Sequence, residues 1–401
     1  MKLFPAVFAL LLLGCTATKG NSNPSQSPSV FILNSDVLKK TRAKIRITDA
    51  SIMPAYKKLL RDADKALAEG PFSVMEKKHL PPSGDKHDYM SLAPYHWPDP
   101  TKADGLPYIR KDGQTNPEVK EYKDKEYMPK LCELVHTLSL AYYFSEEDKY
   151  AEHAAKILRV WYLDADTRMN PNLNFAQAIK GVNTGRGAGM IDARHFMKVI
   201  DAIGLLQASK SWTAKDQQGM KDWFAAFLNW AQISPIGKDE MDARNNHGTY
   251  YDALRLSIAL FIDSSSLAKT IVASAAKRLD SQMDAEGKFP LEMERTIALH
   301  YNVFNLEAFF MIASMAEKTG FDLWNYTGTS GASLKKGFNF LYPYITNNKE
   351  WTGQQIKPYP FEEGYPLLMM AESKFACKDC REKVVKLAGA ESGKLREHLL
   401  Y

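Results

Sequence analysis

Dense basic tracts are missing from this chain. Lys and Arg (52) nearly balance Asp and Glu (47), and the net charge is only +5. No stretch concentrates enough cations for a nucleic-acid surface, so nucleic acid is excluded as a partner. Cysteine is scarce, with four residues in 401. Cys377 and Cys380 make the one CxxC, with neither a second pair nor nearby histidines to complete a zinc site. A local disulfide fits that pair in an oxidising compartment, and Cys132, set in an apolar helical run, reads as a small core residue. Strand signals are rare. The glycines of Asn183-Thr184-Gly185-Arg186-Gly187 follow no strand, so the phosphate-loop patterns do not fit. No hydrophobic run is long enough to span a bilayer.

What is present begins at the N-terminus. Met1-Lys2 supplies a short positive region, residues 3–13 are apolar, and the run ends Leu12-Leu13-Gly14-Cys15. This resembles a bacterial lipobox, with Cys15 lipidated as the mature N-terminus. Residues 1–15 are then a signal peptide, 16–30 a polar tether rich in Ser, Asn, Thr and Pro, and 31–401 a single catalytic domain. The expectation is an extracytoplasmic lipoprotein of the periplasm or outer membrane of a Gram-negative bacterium, touching the membrane only through its lipid.

With 45% hydrophobic and 25% charged residues, the chain has ample material for a large core. Residues 31–52 predict a strand-like segment or short helix, and 54–69 a helix stopped by Gly70-Pro71. Runs with 3.6-residue spacing follow over about 128–144, 148–162, 190–209, 213–232, 250–263, 266–283, 301–318, 333–344 and 361–374. Some links between them are short and the others long and polar, as in stacked helical hairpins. The reading is all-α: an incomplete (α/α) toroid with long loops over one rim.

Three of those loops collect the polar and aromatic residues. The first, 81–118, is too rich in proline for a long helix and too aromatic for disorder, carrying Tyr89, Tyr95, Trp97 and Tyr108. The second, 170–190, carries Gln177 and Arg186. The third is Asp242-Ala243-Arg244-Asn245-Asn246-His247-Gly248, at the mouth of a helix and preceded by a polar loop over 234–239. Amides, an imidazole and a guanidinium crowded there are costly to bury without partners. A second polar knot, Glu292-Met293-Glu294-Arg295 with His300-Tyr301-Asn302, lies about fifty residues on. The two knots are expected to face each other across one cleft. Taken singly, Asn246 also suits a helix cap and His247 a core histidine.

In this order the motifs carry a resemblance. Asp88-Tyr89-x-Ser91-x3-Tyr95-x-Trp97-Pro98, Tyr108-x-Arg110-x-Asp112-Gly113-x2-Asn116-Pro117, Asn245-Asn246-His247-Gly248 and Leu291-Glu292-x-Glu294-Arg295 running to Tyr301 resemble the alginate lyase family over about 88–310. The resemblance implies an α/α toroid that cleaves acidic uronate polysaccharides, alginate or a related polyuronate such as glucuronan, by β-elimination without a metal or other cofactor. It implies that Asn246 and His247 neutralise the C6 carboxylate, with His247 also able to act as base. Arg295 would depress the pKa of Tyr301, which would serve as acid and also as base where proton and leaving oxygen share a face. Tyr95, Trp97, Arg110, Gln177, Arg186, Asn245 and His300 are the substrate-binding candidates, and Glu292 and Glu294 the supports for Arg295 or His247. After Arg295 the stretch Thr296-Ile297-Ala298-Leu299-His300 is less basic than in alginate-secretion relatives, so the resemblance fixes a reaction type better than a substrate.

Elimination asks independently for the same residue types. The C5 proton is poorly acidic while the carboxylate is charged, so hydrogen-bond donors and cations must offset that charge. A base then takes the proton and an acid protonates O4. Two rival readings use other residues: a glycoside hydrolase with paired carboxylates among Asp242, Asp252, Glu292 and Glu294, and a non-catalytic glycan-binding lipoprotein.

Overall fold

The structure is a computed structural model that describes residues 27–401. The leader, Cys15 and most of the expected tether lie outside the described residues. Close packing begins by Ser29, whose carbonyl approaches Gly204 so tightly that a Cβ there would sit 2.0 Å away. The buried Asp201 carboxylate then accepts the backbone N–H groups of Phe31 (2.6 Å), Ile32 (3.1 Å) and Leu33 (2.8 Å). Asn34 caps the helix that follows, its side chain accepting from the N–H groups of Asp36 and Val37. The lead-in is therefore helix α1 (Ser35–Arg46) and not a strand.

Helices make up most of the remainder: α2 (Met53–Ala66), α3 (Lys123–Ser145), α4 (Asp148–Leu158), α5 (Phe196–Leu206), α6 (Ala214–Ile233), α7 (Pro235–Met241) and α8 (Asn246–Phe261). They continue through α9 (Ser265–Gln282), α10 (Pro290–Met293), α11 (Ala298–Ala316), α12 (Leu334–Ile345), α13 (Tyr365–Lys374), α14 (Cys380–Ala388) and α15 (Glu397–Leu400). Helices α3, α5, α8, α11 and α13 pack neighbour to neighbour as an inner ring, and the short α15 with α2 bridges back to α3. Helices α4, α6, α9, α12 and α14 stand outside, each against an inner helix. This is the expected α/α toroid, its last gap spanned by α15 together with α2.

Sequence explains the two layers. Inner helix α11 buries Leu299, Val303, Leu306, Phe309, Phe310 and Ile312, apolar nearly all round as a doubly covered helix must be. Outer helix α4 buries Tyr150, Ala154, Ile157 and Leu158 while exposing Glu152 and Lys156. Helix α7 lies in what the sequence presents as a polar loop; Ser234 caps it, accepting from Gly237 N–H at 3.0 Å, and Pro235 opens its first turn. Cys377 and Cys380 form a disulfide, and Cys132 is buried.

The first two long loops are stitched together over one rim. Strand β1 (Met90–Leu92) pairs in parallel with β4 (Phe175–Ala178), and β2 (His96–Trp97) pairs antiparallel with β3 (Ile109–Arg110). A buried ion pair, Lys77 to Asp124 at 3.0 Å, pins the base of this cover. Asp124 also accepts Met90 N–H at 3.0 Å, and Lys77 donates to the Asp88 carbonyl at 2.8 Å. Tied at its base by these buried contacts, the loop is an ordered element.

Asp201→Ala should leave three N–H donors, that of Leu33 buried and the other two partly buried, without their acceptor and lower unfolding free energy by about 3 kcal/mol, read by urea denaturation. A midpoint equal to the wild type's would remove the clamp from the account of the N-terminal segment.

Candidate active site

The polar knots do line one cavity of about 1210 Å³ inside the toroid. The third loop reaches it through the start of α8. Asn245, not Asn246, is the helix cap, its side chain accepting from His247 N–H at 3.3 Å. Gly248 is obligatory: a Cβ there would lie 2.1 Å from the Ala243 carbonyl and 2.2 Å from the Arg278 guanidinium. Arg278 fills that space, donating to the carbonyls of Ala243 (2.6 Å) and Met241 (2.9 Å) and to Asp252 (2.7 Å).

A buried carboxylate stands behind each of the next two side chains. Glu292 accepts Asn246 N–H at 2.6 Å and lies 2.9 Å from the side-chain nitrogen through both oxygens. The two amide hydrogens diverge too widely for both to reach one carboxylate, which leaves one for a ligand. Glu240, on α7, lies 2.7 Å from His247 Nδ1. Holding that proton on Nδ1 makes Nε2 of the neutral ring an acceptor.

Arg295 is held by the first loop. It forms a two-pronged pair with Asp112, Nη2 to Oδ1 at 2.7 Å and Nε to Oδ2 at 3.1 Å. Asp112 also accepts Thr296 N–H at 3.2 Å, and Gly113 lets the loop close in, a Cβ there falling 2.6 Å from Thr296 Oγ1. Although burial opposes it, the Arg295 and Thr296 donors hold the Asp112 carboxyl well below the ordinary range. The guanidinium lies 3.6 Å from the centre of the Tyr301 ring, and the Tyr301 hydroxyl is 2.9 Å from that of Tyr95.

Electrostatics at Tyr301 run against expectation. Arg295 does favour the phenolate, but burial and then Tyr95 outweigh it, and the Tyr301 pKa is pushed far above the ordinary phenol value. The physical reason is that a buried phenolate loses its hydration, and the neighbouring Tyr95 disfavours a second charge beside it. Tyr301 is thus a neutral hydroxyl.

The other candidates divide. Tyr95, Arg110, Gln177, Arg186, Asn245 and His300 all line the cavity. Arg110 pairs with Asp112 at 2.7 Å, and Gln177 accepts from Arg186 at 2.9 Å and donates to Asp192 at 3.1 Å. His300 is tied to Glu363 through Nδ1. Trp97 does not line the cavity; its indole N–H goes to the Gln114 carbonyl at 2.9 Å and Lys111 covers its ring, so it braces the loop. Glu294 is exposed and supports neither Arg295 nor His247, because α10 ends just before it and turns its side chain outward.

Three participants escape the sequence reading. Asp112 is quoted only as part of a motif, Glu240 falls just past the expected polar loop over 234–239, and His96 is an unremarked strand residue. His96 lines the cavity with a buried Nδ1 that has no hydrogen-bond partner, and burial, then Arg186 and Arg110, lower its pKa. The spacing Arg110-x-Asp112-Gly113 held the available signal for Asp112. Nothing local marks Glu240, since its partner is set by how α7 meets α8. Among the described residues, no group of three or more His, Cys, Asp or Glu is placed to hold a metal ion.

Comparison with known proteins agrees with this geometry. The alginate lyase family model matches residues 73–351. An alginate lyase from Bacteroides ovatus is 42% identical over 93% of this chain and 99% of its own, with a TM-score of 0.88. Alginate lyase A1-III from Sphingomonas species A1 shares the fold at 16% identity, over 94% of this chain and 96% of its own, with a TM-score of 0.56. A histidine-to-alanine variant of A1-III complexed with a tetrasaccharide superposes with a TM-score of 0.60, at 16% identity over 94% of this chain and 96% of its own. No curated protein matched. The chain belongs to the alginate lyase family.

Proposed function

We propose that this chain cleaves 4-linked uronate polymers of the alginate type by β-elimination, with His247 as base and Tyr301 as acid. One observation carries the division of labour: Tyr301 is a buried neutral hydroxyl, whereas Glu240 leaves His247 Nε2 an acceptor on the same cavity. The remaining Asn246 amide hydrogen and the nearby arginines offset the substrate carboxylate, so that the C5 proton becomes acidic. His247 Nε2 takes that proton. Its electron pair forms the C4=C5 double bond, the C4–O4 bond breaks, and O4 takes the Tyr301 proton. Arg295, over the Tyr301 ring, is the group that favours the phenolate so formed.

This assignment suits substrates whose C5 proton and O4 lie on opposite faces, as in guluronate. For mannuronate or glucuronate, one group would have to serve both transfers, and a tyrosine held neutral is poorly prepared for that. Of the four carboxylates the glycoside hydrolase reading named, only Asp242 lines the cavity; Glu292, Glu294 and Asp252 do not.

Tyr301→Phe should reduce formation of the unsaturated product, followed by ultraviolet absorbance, about 100-fold or more with an unchanged melting temperature. Undiminished cleavage would remove Tyr301 from the mechanism. Glu240→Gln can reverse the His247 tautomer and should cost a comparable factor, about 100-fold. Were it fully active, His247 could not be the base. The lipobox-like end at Cys15 supports an anchored, extracytoplasmic protein; Cys15→Ser should move the protein from membrane to soluble fractions on ultracentrifugation, and an unchanged distribution would sink the anchor.

A further inference from the structure

The cavity does not stop at the reacting groups. Beyond Tyr301 it runs past the Phe304 ring to Arg194, at the end of the 3-10 segment Gly187–His195. Most cations along it are already matched: Arg110 and Arg295 by Asp112, Lys125 by Asp192, Lys198 and Arg396 by Glu133. Arg194 is not. Among the described residues it has no carboxylate within 4.0 Å, and its one hydrogen bond runs from Nη1 to the Ile191 carbonyl at 3.1 Å. A half-buried guanidinium with most of its fork unused is a carboxylate receptor by geometry.

The surroundings fit a sugar carrying that carboxylate. Arg194 Cζ lies 5.7 Å from the centre of the Phe304 ring, whose centre is in turn 6.4 Å from that of Tyr301. The guanidinium is therefore one aromatic ring removed from the acid, suited to a neighbouring residue of the polymer and not to the sugar being cleaved. Phe304 lies parallel to the His300 ring at 5.9 Å and against Tyr250 at 4.2 Å, forming an aromatic wall between the two positions. On the same cavity, His136 Nδ1 is buried without a partner. Two acids face this region: Glu363 is engaged by His300, and Glu307 accepts from the Tyr250 hydroxyl at 3.2 Å while burial raises its pKa. Neither occupies Arg194.

We infer that Arg194 grips the carboxylate of a second uronate residue of the bound chain, beyond Phe304 from the cleavage point, and so makes turnover depend on substrate length. The inference rests on the polyuronate-lyase reading above.

The test uses wild type, Arg194→Ala, Arg194→Gln and Arg194→Lys on a ladder of oligouronates of defined length, with kcat/KM followed by the absorbance of the unsaturated product. In the wild type kcat/KM should rise sharply once the oligomer is long enough to reach Arg194. In Arg194→Ala and Arg194→Gln the ratio of long to short substrate should fall about tenfold or more, through KM, with partial recovery in Arg194→Lys. An unchanged ratio, or an equal loss at every length such as misfolding gives, overturns the inference while leaving the lyase reading intact. A wild type that makes no unsaturated product from any polyuronate overturns both.

Discussion

The pairing of Asp112 with Arg295 is the contact through which the site is assembled. Asp112 comes from a proline-rich loop and Arg295 from the turn between α10 and α11, 183 positions apart. The two-pronged geometry fixes the plane of the guanidinium, whose carbon in turn lies 3.6 Å from the centre of the Tyr301 ring. The same loop brings Tyr95 to the Tyr301 hydroxyl. Without this ion pair the Asp112 end of the loop would lose its hold on Arg295, and a half-buried cation would stand uncompensated beside Tyr301.

That arrangement also decides what the tyrosine is. A cation 3.6 Å from a phenol ring suggests an ionised tyrosine until burial is counted. Desolvation, with Tyr95 beside it, is the larger influence on Tyr301 and outweighs Arg295. The family resemblance places a cation near the ring and gives no account of what neutralises it. A similar division holds at the other knot, where Glu292 and Glu240 sit behind Asn246 and His247 and orient them. In each case a side chain lining the cavity is set by a carboxylate behind it.

Much of this was legible before any coordinates. Periodicity located the principal helices within a few residues, because inner and outer layers of a toroid bury different fractions of their surface and leave different patterns. The polar knots stood out because four hydrogen-bonding side chains at one helix start cannot be buried unpaired. Helix α7 was missed because its cap and Pro235 look like loop residues when the following turn is polar. Trp97 was misplaced because an aromatic in a loop reads alike whether it faces a cavity or braces a hairpin.

The sequence by itself determined the toroid, the two knots and the residue types that elimination requires, since these follow from local spacing and the cost of burying polarity. Only the tertiary structure decided which carboxylate meets which donor: Asp112 with Arg295, Glu240 with His247, Glu292 with Asn246. Those pairings join residues from separate elements, and their consequences depend on distance and burial, quantities that no linear spacing encodes. The burial that raises the Tyr301 pKa is set there as well.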